Sequence, residues 1–223
     1  MTHATQSAMR PPFPAERGVD AHNLKLGMWV FLASEVMFFT ALIGSYVILR
    51  FGALGEWAKP GVVLNIPVTA FNTFLLICSS VSMVKAFAAI ADGDQKMLRV
   101  WMLLTIIGGA MFVGVQVYEY SHLIHRGLLP SGVREGSELA ELVANGTLPE
   151  ATMGLYGSTF YIMTGFHGFH VTCGVIAMTY LFFRRVLPGK YSQQDHRGIE
   201  TVGLYWHFVD LVWIILFTIV YLI

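Results

Sequence analysis

Five apolar stretches, each as long as a bilayer is thick, constrain this chain more than any other feature. They run from about 24 to 50, 66 to 90, 98 to 124, 156 to 184 and 200 to 223. A hydrocarbon core needs about 20 apolar residues in a helix, and hydrogen bonding inside lipid leaves no other open-chain solution. The expected fold is therefore all-α, a polytopic bundle of five transmembrane helices. Breakers fall where connections are needed: Gly52, Gly55, Pro60 and Gly61 first, then Asp92, Gly93 and Asp94, and later Pro188 and Gly189.

The longest connection, Arg126 to Leu155, contains a short amphipathic run expected to form a surface helix over 137–144. Residues 1–23 are polar and carry no apolar core ahead of a cleavage site, so they are expected to be a cytoplasmic N-terminal segment ahead of one domain, 24–223. Lys and Arg then distribute unevenly. Arg10, Arg17, Lys25, Lys85, Lys96, Arg99, Arg184, Arg185, Lys190 and Arg197 share the N-terminal side, against Arg50, Lys59, Arg126 and Arg134. By the positive-inside rule the N-terminus is cytoplasmic and the C-terminus periplasmic, as an odd number of spans requires.

Formal net charge is zero, and no basic run is dense enough for nucleic acid. Cys78 and Cys173 lie apart within apolar stretches, without CxxC spacing, and read as small packing residues. Intervals between spans are unequal and show no internal repeat, which argues against a repeat-built transporter.

Polar residues at membrane depth are the functional candidates. Glu35 sits eleven residues into the first span, roughly 16 Å deep at 1.5 Å per residue, where a carboxyl must share a proton or a hydrogen bond. It is read either as a proton-handling group or as a neutral tie between helices. His167 and His170 reach similar depth in the fourth span and are possible partners for it. Glu119 and His122 stand near the outer interface, flanked by Tyr118 and Tyr120 as interfacial anchors, with Gln116 one turn earlier. His207 and Asp210, three apart, share one helix side; a bridge between helices is favoured there over a proton relay.

Glu119-x-x-His122 matches half of a di-iron pattern, but no second Glu-x-x-His exists, so no metal site is expected. Trp206 and Trp213 form one stripe suited to packing. Gly108, Gly109, Gly114, Gly165, Gly168 and Gly174 mark close helix approach.

Four segments together carry a resemblance: "GMWVFLASEVMFF" (27–39), "NTFLLICSS" (72–80), "QVYEY" (116–120) with "YGSTFYIMTGFHGFHVTCG" (156–174), and "YWHFVDLVWIILF" (205–217). In order and spacing the chain resembles subunit III of haem-copper respiratory oxidases, the cytochrome c oxidase subunit III family, in its short five-helix bacterial type. Longer members have seven helices; this chain starts at what looks like the third. The resemblance implies an accessory, non-catalytic subunit in the bacterial inner membrane that holds no haem and no copper. It implies packing on the catalytic subunit I, association with subunit II and small subunits, and bound phospholipids. The complex it implies reduces O2 to water in aerobic respiration and translocates protons, with haem and copper in the partner subunits. Glu35 matches the buried carboxyl known in the family for reacting with a carbodiimide, near lipid and the region tied to sustained proton uptake. Glu119, His122, His167, His170, His207 and Asp210 are carried as structural or lipid-associated polar residues. Quinol oxidase and nitric oxide reductase-associated homologues stay open, as does, from a different class, an independent proton-coupled transporter or metalloenzyme.

Overall fold

Helix starts and stops in this chain follow local capping chemistry rather than the edges of the apolar stretches. The computed structural model describes residues 15–53, 56–192 and 196–223, with residues 15–22 described as backbone only. Residues 1–14 of the expected polar segment, Arg10 among them, and Gly55 of the first connection lie outside the described residues.

Helix α1 runs Ala15–Gly52, α2 Pro60–Val63, α3 Ile66–Ala91 and α4 Gln95–Arg126. A two-stranded hairpin, β1 Leu128–Leu129 with β2 Gly132–Val133, is followed by α5 Glu138–Ala144, α6 Glu150–Leu181 and α7 Arg197–Phe217. α6 and α7 each continue into one π-helical turn, Phe182–Val186 and Thr218–Leu222. Five of these helices are long and apolar enough to cross a membrane.

Asp94 caps α4 by accepting from Lys96 N and Met97 N at 2.9 and 3.1 Å. Gly127, at φ 101°, ends the same helix in a left-handed conformation that a side chain rarely adopts. Ser137 caps α5, so the surface helix forms where its polar cap and apolar Leu139 predict. Two helices begin earlier than hydropathy indicates. α1 is helical from Ala15 and α6 from Glu150, because a helix extends into water as long as its residues favour it. At Glu150 a carboxylate in the first turn complements the helix dipole.

α3 and α4 form the most extensive helix pair, and α7 packs against α6, α3 and α1. Trp206, Trp213, Tyr156, Tyr221, Phe112 and Phe160 fill the space among them. Van der Waals packing, rather than escape from water, holds such a bundle in lipid, and close approach is what it requires. A side chain on Gly174 would come within 2.9 Å of the Trp206 ring and one on Gly168 within 2.6 Å of Gln116 Oε1. Gly114 faces open space instead, and both cysteines are exposed on the bundle surface, so neither serves as a packing residue.

The third connection is fastened by one cation. Arg126 donates to Val63 O at 2.8 Å and to both Glu138 oxygens at 2.9 and 3.1 Å, joining α2, α4 and α5. The Arg126 guanidinium, by hydrogen bond and charge, holds the Glu138 carboxyl below its usual range.

Candidate functional site

The polar side chains at membrane depth form separate clusters, each tied to a different helix seam. Rotation of each helix decides which residue joins which cluster.

At the α1–α6 seam, Glu35 Oε2 lies 3.1 Å from His170 Nε2. The other ring nitrogen, Nδ1, is 2.7 Å from Phe166 O. A carbonyl only accepts, so Nδ1 carries a hydrogen and donates it. Two states remain for the other side of the ring. Either a protonated Glu35 donates to bare Nε2, or an imidazolium N–H donates to the carboxylate. Both contain one proton between the two groups, and both are neutral overall, which makes the pair tolerable in lipid.

Aromatic rings enclose this pair. Phe39 and Phe169 stand 5.2 and 5.9 Å from the His170 ring, and Phe38 stacks edge-on to Phe166 at 5.1 Å. Tyr205 on α7 donates to His170 O at 2.9 Å, fixing the local backbone. Glu35 and His170 keep 17% and 12% of their side-chain surface, so the pair sits at a seam opening toward lipid, not on the bundle axis.

His167 takes no part in it. Fully buried, it donates from Nε2 to Val209 O at 3.1 Å and lies between Trp213 and Phe112, 4.7 and 5.7 Å away. Its Nδ1 is then a bare acceptor, with no partner among the described residues.

The α3 face toward α4 and α7 carries a row of short polar side chains that sequence reading did not single out. Asn72 donates to Phe112 O at 3.2 Å and Ser79 to Thr105 O at 3.0 Å. Trp213 Nε1 donates to Thr73 at 2.9 Å and Trp206 Nε1 to Ser79 at 3.2 Å. Ser80 hydrogen-bonds His207 Nδ1 at 2.7 Å, and Asp210 faces the same hydroxyl. His207 and Asp210 therefore do meet one neighbour together. Residues 69, 72, 73, 76, 79, 80 and 83 are all buried, and their i, i+3, i+4, i+7 spacing is the signal that reveals this row.

Glu119 and His122, three apart, separate. Glu119 is buried and accepts from Thr69 at 2.7 Å, whereas His122 is exposed and stacks on Tyr118 at 6.3 Å. Tyr118 stands outside as an anchor does, but Tyr120 turns inward to Thr164, 2.6 Å away, beside Gln116, which donates to Thr164 O at 2.7 Å. Among the described residues, no three His, Cys, Asp or Glu side chains gather closely enough to hold a metal ion.

The family model for cytochrome c oxidase subunit III matches residues 16–125 and 145–223. The unmatched stretch between them holds the hairpin and α5. The chain is 36% identical over 197 residues to cytochrome c oxidase subunit 3 of Thermostichus vulcanus, covering 88% of this chain and 86% of that one. It is 36% identical over 198 residues to a probable cytochrome c oxidase subunit 3 of Nocardia farcinica, covering 89% and 87%. A probable quinol oxidase subunit 3 of Staphylococcus saprophyticus is 30% identical over 208 residues, covering 93% and 92%.

Proposed function

The chain belongs to the cytochrome c oxidase subunit III family, and on that premise we propose that it is the cofactor-free accessory subunit of a proton-pumping haem-copper terminal oxidase. In this reading it lies in a bacterial inner membrane with its N-terminus in the cytoplasm, packs on the catalytic subunit I beside subunit II, and binds phospholipid. Haem and copper belong to the partner subunits. Its part is to keep the complex stable and its proton uptake sustained.

The observation that carries this reading is the Glu35–His170 pair. A carboxyl and an imidazole 3.1 Å apart share one proton without net charge. Within such a pair the proton moves between oxygen and nitrogen without changing the net charge, and the rings of Phe39 and Phe169 stand beside it. Other buried polar groups, such as Glu119 with Thr69, tie helices to one another. The likeness to a quinol oxidase subunit 3 favours a second reading, in which the complex takes its electrons from quinol.

The test is purification of the complex from native membranes through a tag on this chain. Haem absorption and a haem-bearing subunit in the eluate are the expected result. A chain that elutes in mild detergent without either contradicts the proposal. Turnover with cytochrome c against turnover with a quinol separates the two donors.

A further inference from the structure

Three aromatic side chains meet where the C-terminal end of α1, the connection into α2 and the first turns of α6 come together, and two of their polar tips lack a partner. Tyr46 and Trp57 stand 5.8 Å apart edge to face, and Trp57 and Tyr156 5.9 Å apart. Trp57 Nε1 and the Tyr156 hydroxyl are both closed to the surface, and neither hydrogen-bonds to any described residue. The rings thus pack while their tips miss one another. Tyr46, itself 1% exposed, accepts from Arg50 Nη1 at 3.0 Å and can still donate its own hydrogen. Of the ionisable groups around the Tyr156 hydroxyl, that of Tyr46 acts on it most strongly, ahead of Arg50 and Glu119.

Buried indole N–H and phenol O–H groups nearly always find a partner, because the bond that they give up to water must be replaced inside the bundle. An indole nitrogen only donates, so whatever meets Trp57 must accept. A lipid headgroup does not reach atoms closed to the surface, and an acyl chain neither accepts nor donates. A buried anion needs a counter-charge, but Arg50 is already bonded to Tyr46 and Ile223 O, and Glu119 repels it. Water is small and neutral, and it both accepts and donates.

We propose that one ordered water molecule is bound among Trp57, Tyr46 and Tyr156, accepting from the indole N–H and from one phenol and donating to the other. It fastens the connection that holds Trp57 to α1 and α6, beside the bond from Thr152 to Glu56 O at 2.9 Å. It also carries the hydrogen-bonded line from Arg50 through Tyr46 inward to Tyr156. The site belongs to the chain itself and does not rest on the oxidase reading.

Equilibrium unfolding of the full chain in mixed detergent micelles tests it. Tyr156→Phe keeps the ring and removes only the hydroxyl. A hydroxyl without a partner makes that change neutral or stabilising, whereas a water-bonded one makes it lower the folding equilibrium constant by about twofold to tenfold, which is the expected result. Trp57 and Tyr156 do not bond each other, so the water is what couples them. In a Trp57→Phe background the same change is therefore expected to cost little, since the water has already lost its anchor. Equal losses in the two backgrounds, or no loss in either, overturn the water site. Unfolding in chloride and in gluconate is expected to coincide; stability that rises with chloride identifies an anion and overturns it too. A high-resolution density map of the purified chain or its complex is the second readout. A peak within hydrogen-bond distance of Trp57 Nε1 and the Tyr156 hydroxyl is expected, and an empty position there overturns the proposal even where Trp57→Phe does not fold.

Discussion

Glu35 on α1 and His170 on α6 hold a single proton between them across 3.1 Å, because His170 Nδ1 is committed to Phe166 O. That relationship separates a proton site from a helix tie by experiment. Glu35→Gln keeps an N–H to give to Nε2 but exchanges no proton, whereas Glu35→Ala removes both capacities. Initial oxidase turnover and haem content are expected to stay near wild type in both. The alanine variant loses about 1 kcal/mol of bundle stability in detergent. Endurance over many turnovers falls in both variants when the proton matters, and in the alanine variant alone when only the tie does. Timed oxygen uptake of the purified complex distinguishes them.

Thr69 and Glu119 give a second prediction. Thr69→Val keeps the shape and removes the donor that Glu119 accepts at 2.7 Å. Leaving a buried carboxyl short of a partner costs about 1–3 kcal/mol. Thermal unfolding in detergent is expected to shift down accordingly, and Glu119→Gln, which trades a carboxyl for a neutral amide, to shift it less. An unchanged transition in Thr69→Val contradicts the assignment.

The glycines of α4 and α6 differ sharply. Gly174→Val drives a side chain into Trp206 and is expected to destabilise by about 1–3 kcal/mol, or to block assembly. Gly114→Ala meets open space and is expected to stabilise α4 by roughly 0.5–1 kcal/mol through helix propensity. Membrane yield and unfolding temperature of the two variants check the contrast.

Acid loosens the third connection. Arg126 lowers the Glu138 pKa from its ordinary 4.5, so the pair's contribution is fully present above that value and is lost as pH falls through the lower folded value. Protection of the 138–144 amides, referred to the intrinsic exchange rate at each pH, is expected to be flat at neutral pH and to fall only well below pH 4.5. Glu138→Gln removes the acid-dependent part, leaving exchange faster at neutral pH than in the wild type.

The spans were legible because apolar length reports directly on lipid. The surface helix was legible as well, since Ser137 and Leu139 signal a cap and an inward side. Residue type alone was insufficient for the polar clusters. His167 and His170 are chemically identical and three apart, yet one faces α7 and the other α1; only the rotation of α6 distinguishes them. The α3 row was hidden for another reason. Thr73 also donates back to Thr69 O, and Thr105 to Trp101 O, within their own helices. Short hydroxyl residues satisfy themselves in this way, so their presence does not announce a contact with another helix. Glu119 and His122 part because three residues turn a helix by about 60° away from alignment, enough to bury one and expose the other.

α1 is pinned to its neighbours at three heights. Lys25 meets Glu200 at one end, Glu35 meets His170 midway, and Arg50 meets Ile223 O at the other. These pins act as a vernier. Sliding α1 by one residue, about 1.5 Å along its axis, carries all three pairs away from optimal spacing at once. The apolar faces between them would tolerate that slip with little complaint, since lipid-facing leucines and phenylalanines have no preferred register. Longitudinal alignment of α1 is therefore set by three polar side chains spread over its length, Lys25, Glu35 and Arg50, and a change at any one of them weakens a measuring scale rather than a glue.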